Sequence, residues 1–329
     1  MTGAGATTAR MRVGLDIGGT KILGVAVDDD GEVLAQERAA TELGPEGVAR
    51  SAAAVVEALR ARTGRPIAGP VGVGIPGLVD TERGAVAHAV NLGLAEWYPL
   101  ADLLGEALAE SLAESLSDSP ADRPVVVEND LNVATLGASW LAGVDDLVYL
   151  GLGTGLASGV VLDGRLRRGL HGAAGEVGHI PVGGFGTEDT VCQCGQRGCL
   201  ELVASGTALE RAWPVAEGHA AAAVFEAAAA GDPAAVRVRD RFAAGVAAGV
   251  RLLALAVDPA VVVLGGGVAQ IGEPLRDAVA AALRAQAVGS PFLASLDLAG
   301  RLRVVPADRP VAALGAAMIG TMLREPPWK

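Results

Sequence analysis

Three cysteines, Cys192, Cys194 and Cys199, fall within eight positions, and the chain has no others. His179 precedes them. Three thiolates and a neutral imidazole are a ligand set of a closed, tetrahedral structural zinc site. Gly183, Gly184, Gly186, Gly195 and Gly198 lie between these residues and let the backbone wrap tightly around an ion. A disulfide is the weaker alternative: Cys192 and Cys194 are too close to pair without strain, and an odd count leaves one thiol over. The spacing C-x-C-x4-C departs from the common zinc-finger templates, so composition and clustering carry this reading. Glu176 and Glu201 stand at the two ends of the run 176–201. A metal that ties this knot also fixes both carboxylates, giving a rigid platform for a polyol. With one nitrogen of His179 metallated, the other N–H is left to donate to a substrate oxygen.

A second group is suited to proton transfer. Asp130 follows a short apolar strand, Val125 to Val127, and sits between Asn129 and Asn132 just ahead of a helix. A partly desolvated carboxylate there can take the proton from a hydroxyl as that oxygen attacks phosphorus. The amide of Asn129 can hydrogen-bond a sugar hydroxyl. The plainer alternative is that Asp130 only caps the helix.

Glycine-rich tips supply a third kind of chemistry. The strand Arg12 to Ile17 runs into Gly18-Gly19-Thr20-Lys21 and returns as Ile22 to Val27. Backbone N–H groups at such a tip can face phosphate oxygens, because no Cβ blocks the approach. Asp16, at the strand end, is placed to hold Mg2+ directly or through water. The design repeats: a strand from Asp146 to Leu150, a tip from Gly151 through Gly153-Thr154-Gly155, and a return strand from Leu156 to Leu162. Two copies predict two related domains, each offering a phosphate loop to one nucleotide. A third run, Gly265-Gly266-Gly267, follows the apolar strand Ala260 to Leu264 and precedes a helix over 274–287, a placement suited to adenosine or ribose. There is no Walker A motif.

The elements that must position these groups alternate. Helices are expected over 47–62, 99–116, 220–230, 233–257 and 311–323, with strands over 71–75, 125–127 and 302–305, an α/β pattern. A boundary is expected near residues 128–132: a small α/β lobe over 11–128, with a C-terminal helix over 311–325 packing back on it, and a large α/β lobe over 129–310 that carries the knot. Residues 1–10 read as a disordered extension, with Met11 an alternative start. The polar stretch 117–123 reads as a connection.

The 329 residues suffice for two cores, and 51% apolar with 19% charged residues describes a soluble globular chain. Aromatics make up only 3%, so the cores must be built from Val, Leu, Ile and Ala. The net charge of −12 argues against a nucleic-acid partner, which calls for a basic surface. No membrane-spanning run and no signal-peptide pattern is read, and three cysteines without a disulfide framework fit a reducing cytoplasm.

With these motifs assembled, the chain resembles the ROK family of sugar kinases, in the superfamily of actin and hexokinase. The resemblance rests on LDIGGTKI at 15–22, GIPGLVD at 74–80, NLG at 91–93, ENDLN at 128–132, LGTG at 152–155, GEVGH at 175–179, CQCGQRGCLE at 192–201 and LGGGV at 264–268. It implies a two-lobed actin-like (ribonuclease H-like) fold with a structural zinc knot, and an ATP-dependent kinase closing over a hexose, glucose first. It implies Asp130 as the base that deprotonates the 6-hydroxyl. Asn129, Glu176, His179 and Glu201 match binders of the other hydroxyls, and Gly77 matches the loop against the sugar. His179, Cys192, Cys194 and Cys199 match the Zn2+ ligands. Asp16, Gly18, Gly19, Thr20, Lys21, Gly153, Thr154, Gly155, Gly265 and Gly266 fall on the ATP and Mg2+ side. Homo-oligomers, dimers or tetramers, are common among such relatives. Two departures stand out: Leu156-Ala157-Ser158-Gly159 replaces a glycine-rich continuation after LGTG, and Leu94 replaces the common aromatic after NLG. An N-acetylglucosamine or N-acetylmannosamine kinase shares the same chemistry. A sugar-responsive repressor would carry a winged helix, for which about ten residues ahead of the first strand are too few.

Overall fold

The computed structural model describes residues 9–109, 123–216, 218–306 and 308–322. The expected extension at 1–8, the far part of the helix expected over 99–116, the connection at 117–122 and helix residues 323–325 lie outside the described residues. The chain divides into two compact units, residues 1–141 with 310–329, and residues 142–309.

In the first unit, β1 (Arg12–Ile17), β2 (Lys21–Val27) and β3 (Val33–Ala40) form an antiparallel meander. β4 (Val71–Ile75) joins β1 in parallel and β7 (Val125–Asn129) joins β4 in parallel, giving the order β3-β2-β1-β4-β7. β5 (Leu78–Asp80) and β6 (Ala85–Ala87) make a separate hairpin. Because side chains alternate along a strand, Val13, Leu15 and Ile17 share one face. That face is fully buried with Val48, Val56 and Leu59 of helix α1 (Pro45–Thr63) and with Leu100 and Leu104 of α2 (Leu100–Ala107).

The opposite face is closed by α9 (Val311–Met322). Here the strands present Gly14 and Gly72, and a Cβ at either would collide with a carbonyl oxygen of that helix, Ala313 O or Ala316 O. The helix backbone therefore rests directly on the sheet. α3 (Asp130–Ala142) meets α9 in the same way: Gly137 lies against Val311 O, and Gly315 against Val133 O. These close contacts hold α3 in the first unit. They move the boundary from the expected 128–132 to the position after Leu141.

The second unit repeats the strand order. β8 (Leu147–Leu152) and β9 (Leu156–Leu162) are antiparallel, β10 (Arg165–Leu166) pairs with β9, and β11 (Val261–Gly265) runs parallel to β8 and to β12 (Leu302–Val304). The order is β10-β9-β8-β11-β12, the same winding as in the first unit. Its helices are α4 (Gly206–Ala212), α5 (Ala220–Ala229), α6 (Pro233–Val257), α7 (Glu273–Ala287) and α8 (Pro291–Ser295). α6 starts where Asp232 accepts the N–H groups of Ala234 and Ala235 (2.7 and 3.2 Å), with Pro233 at its first position. Val246 and Val250 of α6 and Val279 of α7 bury β8 and β11 through Leu150 and Leu264. Among the described residues, no helix is long and apolar enough to cross a membrane.

Candidate active site and metal centre

Asp16, Asn129 and Asp130 gather at the carboxyl ends of the parallel strands β1, β4 and β7. Asp16 is paired in register with Gly74, and Ile75 with Asn129. Asn129 occupies the capping position of α3: its Oδ1 accepts the N–H of Leu131 (3.0 Å) and of Asn132 (3.4 Å). Its Nδ2 donates to the carbonyl of Gly77 (3.3 Å), a residue at φ +108 that glycine alone adopts readily. Asp130 takes only a share of the capping. One of its oxygens accepts the N–H of Leu131 (2.8 Å). Burial pushes the Asp130 carboxyl up from its ordinary range, against the pull of that N–H. Asp16 rises to about 6, through burial first and the neighbouring Asp130 charge second, with Lys21 pulling the other way.

Glu128, which sequence reasoning passed over as a site residue, is buried at 1% exposure. Its Oε1 accepts from the Asn129 N–H and from Asn132 Nδ2, both at 2.8 Å. It therefore fixes the turn that carries Asn129 and Asp130. The available signal was a charge inside an otherwise apolar strand, since buried carboxylates need partners.

Each glycine tip is closed by one backbone hydrogen bond. The Gly18 N–H donates to Lys21 O (2.9 Å), and the Gly153 N–H to Gly155 O (3.1 Å). The next two N–H groups of each tip, Gly19 with Thr20 and Thr154 with Gly155, have no partner among the described residues. Successive N–H groups left open in a turn form an anion-binding concavity. In the first tip, Thr41 holds the carbonyls: its hydroxyl donates to Gly18 O (2.7 Å) and its N–H to Thr20 O (3.2 Å). Thr20 and Lys21 are exposed. In the second unit, the N–H of Gly206, at the start of α4, donates to Gly153 O (2.7 Å). Gly265 lies against the Tyr149 ring, and the Gly266 N–H donates to Tyr149 Oη (3.2 Å).

The knot is held by two short 3-10 turns, Val177–His179 and Leu200–Leu202, and by a bridge between Pro181 and Cys199. It brings one ligand atom each from His179, Cys192, Cys194 and Cys199 to within 4.8 Å of one another. Cys194 Sγ lies 3.6 Å from Cys199 Sγ, and Cys192 Sγ lies 3.7 Å from His179 Nδ1. The edges of a tetrahedron built on Zn–S and Zn–N bonds are about 3.8 Å and about 3.6 Å. Donor set and spacing therefore fit zinc. The backbone N–H of Gln196 is the main cause that lowers the Cys194 thiol to about 7, while burial and then Glu201 push Cys192 up to about 12. Glu201 Oε1 accepts from the Cys192 thiol (2.8 Å) and lies 3.6 Å from His179 Nδ1. The other ring nitrogen, Nε2, lies 4.0 Å from Glu176 Oε2. Glu201 also reaches the second glycine tip: a Cβ on Gly155 would stand 3.1 Å from its Oε2. The expected residues thus form two sets, Asp16 to Lys21 with Gly77, Asn129 and Asp130 in one unit, and the knot with Gly153 to Gly155, Gly265 and Gly266 in the other.

Known proteins are similar to this chain over most of its length. A glucokinase of Halalkalibacterium halodurans is 33% identical over 296 residues, covering 81% of this chain and 83% of its own. An N-acetylmannosamine kinase of Yersinia pseudotuberculosis is 33% identical over 261 residues, covering 77% and 82%. The crystal structure of a ROK family glucokinase from Streptomyces griseus in complex with glucose and AMPPNP matches with a TM-score of 0.70 and 31% identity, over 94% of this chain and 99% of that one. The sequence pattern of the ROK family runs from residue 12 to residue 319, so it takes in both glycine tips, the Asn129–Asp130 turn and the knot. This chain belongs to the ROK family.

Proposed function

We propose that the chain is an ATP-dependent hexose kinase that phosphorylates the 6-hydroxyl of glucose, with Asp130 as general base. The observation that carries the reading is the division of labour at the start of α3: Asn129 caps the helix, leaving a carboxylate beside it with a raised proton affinity. A base of raised pKa is matched to a hydroxyl proton better than an ordinary carboxylate. The pair of open N–H groups on each glycine tip suits phosphate oxygens. A relative crystallised with glucose and AMPPNP supports the choice of both substrates.

In this reading Asp130 accepts the 6-hydroxyl proton as that oxygen attacks the γ-phosphorus. Gly19 and Thr20 on one tip, and Thr154 and Gly155 on the other, donate to the nucleotide phosphates. Asn129, Gly77, Glu176, His179 and Glu201 orient the remaining sugar hydroxyls, with His179 donating from Nε2. Gly265 and Gly266 take the nucleoside end. Asp16 has the hard oxygen donor that suits Mg2+, which would offset phosphate charge. Zinc on His179, Cys192, Cys194 and Cys199 would cross-link the knot and so fix Glu176, His179 and Glu201.

The test is ADP release with MgATP against glucose, mannose, N-acetylglucosamine and N-acetylmannosamine. Glucose should give the highest kcat/KM. Preference for an N-acetylated sugar, the second reading supported by the N-acetylmannosamine kinase relative, keeps the role of Asp130 and changes the pocket around the 2-substituent. Asp130→Asn should retain sugar binding by calorimetry and lose about 100- to 10,000-fold in kcat. Turnover near wild type in that variant would remove Asp130 as the base.

A further inference from the structure

The open N–H groups of the glycine tips have a geometric cause. In a planar trans peptide, the C=O of one residue and the N–H of the next point in opposite directions. A carbonyl held inward therefore turns the N–H that follows it outward. In the second tip, Gly153 O accepts from the Gly206 N–H (2.7 Å) and Thr154 O from the Thr207 N–H (3.4 Å). Their peptide partners are the N–H groups of Thr154 and Gly155, the two that this tip leaves open. In the first tip, Gly18 O accepts from the Thr41 hydroxyl (2.7 Å), and its peptide partner is the open N–H of Gly19. Gly19, Thr154 and Gly155 thus present donors because the carbonyl behind each is tied down.

The means differ between the tips. The second is held by backbone groups alone, at the start of α4. The first is held through a side chain. Thr41 follows β3, and its own N–H donates to Thr20 O (3.2 Å), next to the pairing of Lys21 with Ala40. The N–H of the next residue, Glu42, donates to Ser51 Oγ of α1 (3.0 Å), and Ser51 is buried. Thr41 is therefore anchored on both sides, and its hydroxyl is free to hold Gly18. The peptide it controls joins two glycines, so no Cβ on either side resists a flip. Nor could a side chain at Gly19 stiffen it, because a Cβ there would stand 3.0 Å from both Cβ and O of Asn91. A flipped peptide would aim the Gly18 carbonyl outward, and a carbonyl oxygen repels phosphate.

We propose that Thr41 is a positioning residue for the nucleotide: by holding Gly18 O, its hydroxyl aims the Gly19 N–H at a phosphate oxygen. It acts through Gly18 and does not itself touch the ligand. Thr41 has this role only if the first tip takes nucleotide phosphate, as proposed above.

Two variants of the full chain test it by calorimetry, with AMPPNP and Mg2+ in one titration and glucose in another. Thr41→Val keeps the shape and the backbone N–H and removes the hydroxyl. Thr41→Ser keeps the hydroxyl. Thr41→Val should weaken AMPPNP about three- to tenfold, the range for one hydrogen bond, and raise KM for ATP to match, with glucose affinity unchanged. Thr41→Ser should stay within about twofold of wild type for both ligands. A fold that was merely loosened would lose glucose as well. Wild-type AMPPNP affinity in Thr41→Val, an equal loss of glucose affinity, or a loss in Thr41→Ser as large as in Thr41→Val would each overturn the proposal. A wild-type chain that bound no AMPPNP would instead remove the kinase reading, and the role of Thr41 with it.

Discussion

Asn129 and Asp130 are adjacent residues with chemically similar side chains, and the backbone gives them different work. Asn129 faces three groups at once, the N–H groups of Leu131 and Asn132 and the carbonyl of Gly77. Asn129→Ala should cost about 1 kcal/mol of stability through the lost cap. Asn129→Asp keeps the cap acceptor, replaces the donor to Gly77 with an acceptor, and adds a negative charge beside Asp130. Urea unfolding should therefore separate the two variants, while both lose activity. Asp16 carries a signed pH dependence. Its folded pKa of about 6 lies above its ordinary 3.8, so between these values the folded chain holds a proton that the unfolded chain releases. Its contribution to stability is then most favourable below pH about 4 and declines until pH passes about 6. Asp16→Asn should be more stable than wild type by about 2 kcal/mol at pH 7, after allowance for partial solvent screening, and indistinguishable from it near pH 4. Thermal melts across that range measure the difference. A constant offset at every pH would mean that folding does not raise the Asp16 pKa.

At the scale of elements, two features bear weight through close approach. Gly72 lets the α9 backbone rest on β4, since its Cβ would overlap Ala316 O. Gly72→Ala should lower stability by about 1–3 kcal/mol, the usual range for overpacking, with a reduced denaturation midpoint and an unchanged slope. The knot is built on two short 3-10 turns and isolated bridges, with no regular strand or helix across its cysteines. Cys194→Ser should therefore abolish stoichiometric zinc by atomic absorption and open the segment to proteolysis near Gly195. Full activity in metal-free Cys194→Ser would show that the knot does not position Glu176 and Glu201. These two elements differ in how far they were legible. The cysteines cluster in sequence, so their meeting is local. The glycine contacts of α9 join residues hundreds of positions apart, and no periodicity announces them. For the same reason the boundary expected at 128–132 moved to Leu141: nothing within α3 itself shows that Gly137 will meet Val311. Nor can sequence decide whether Asn129 or Asp130 caps α3, because both residue types cap equally well.

For the whole chain, the repeated hairpin was the most informative sequence feature. Strand, glycine tip with threonine, and return strand occur twice, and the two five-stranded sheets follow the same winding. The parallel strands were legible as continuous apolar runs, because both faces of such sheets are covered. The first unit, however, is not contiguous: its sheet is covered on one face by α9, which follows the entire second unit in the chain. On a ribosome, β1 and β4 therefore emerge with one face unsealed, and at about 5–20 residues per second they wait roughly 12–60 s for the helix that seals it. The second unit is complete before the first. The bare face carries Gly14 and Gly72 on β1 and β4, so the apolar side chains that wait for the helix are those of β2, Leu23, Val25 and Val27. On β1 and β4 the small residues that admit the helix also limit how much apolar surface is left open before the helix exists.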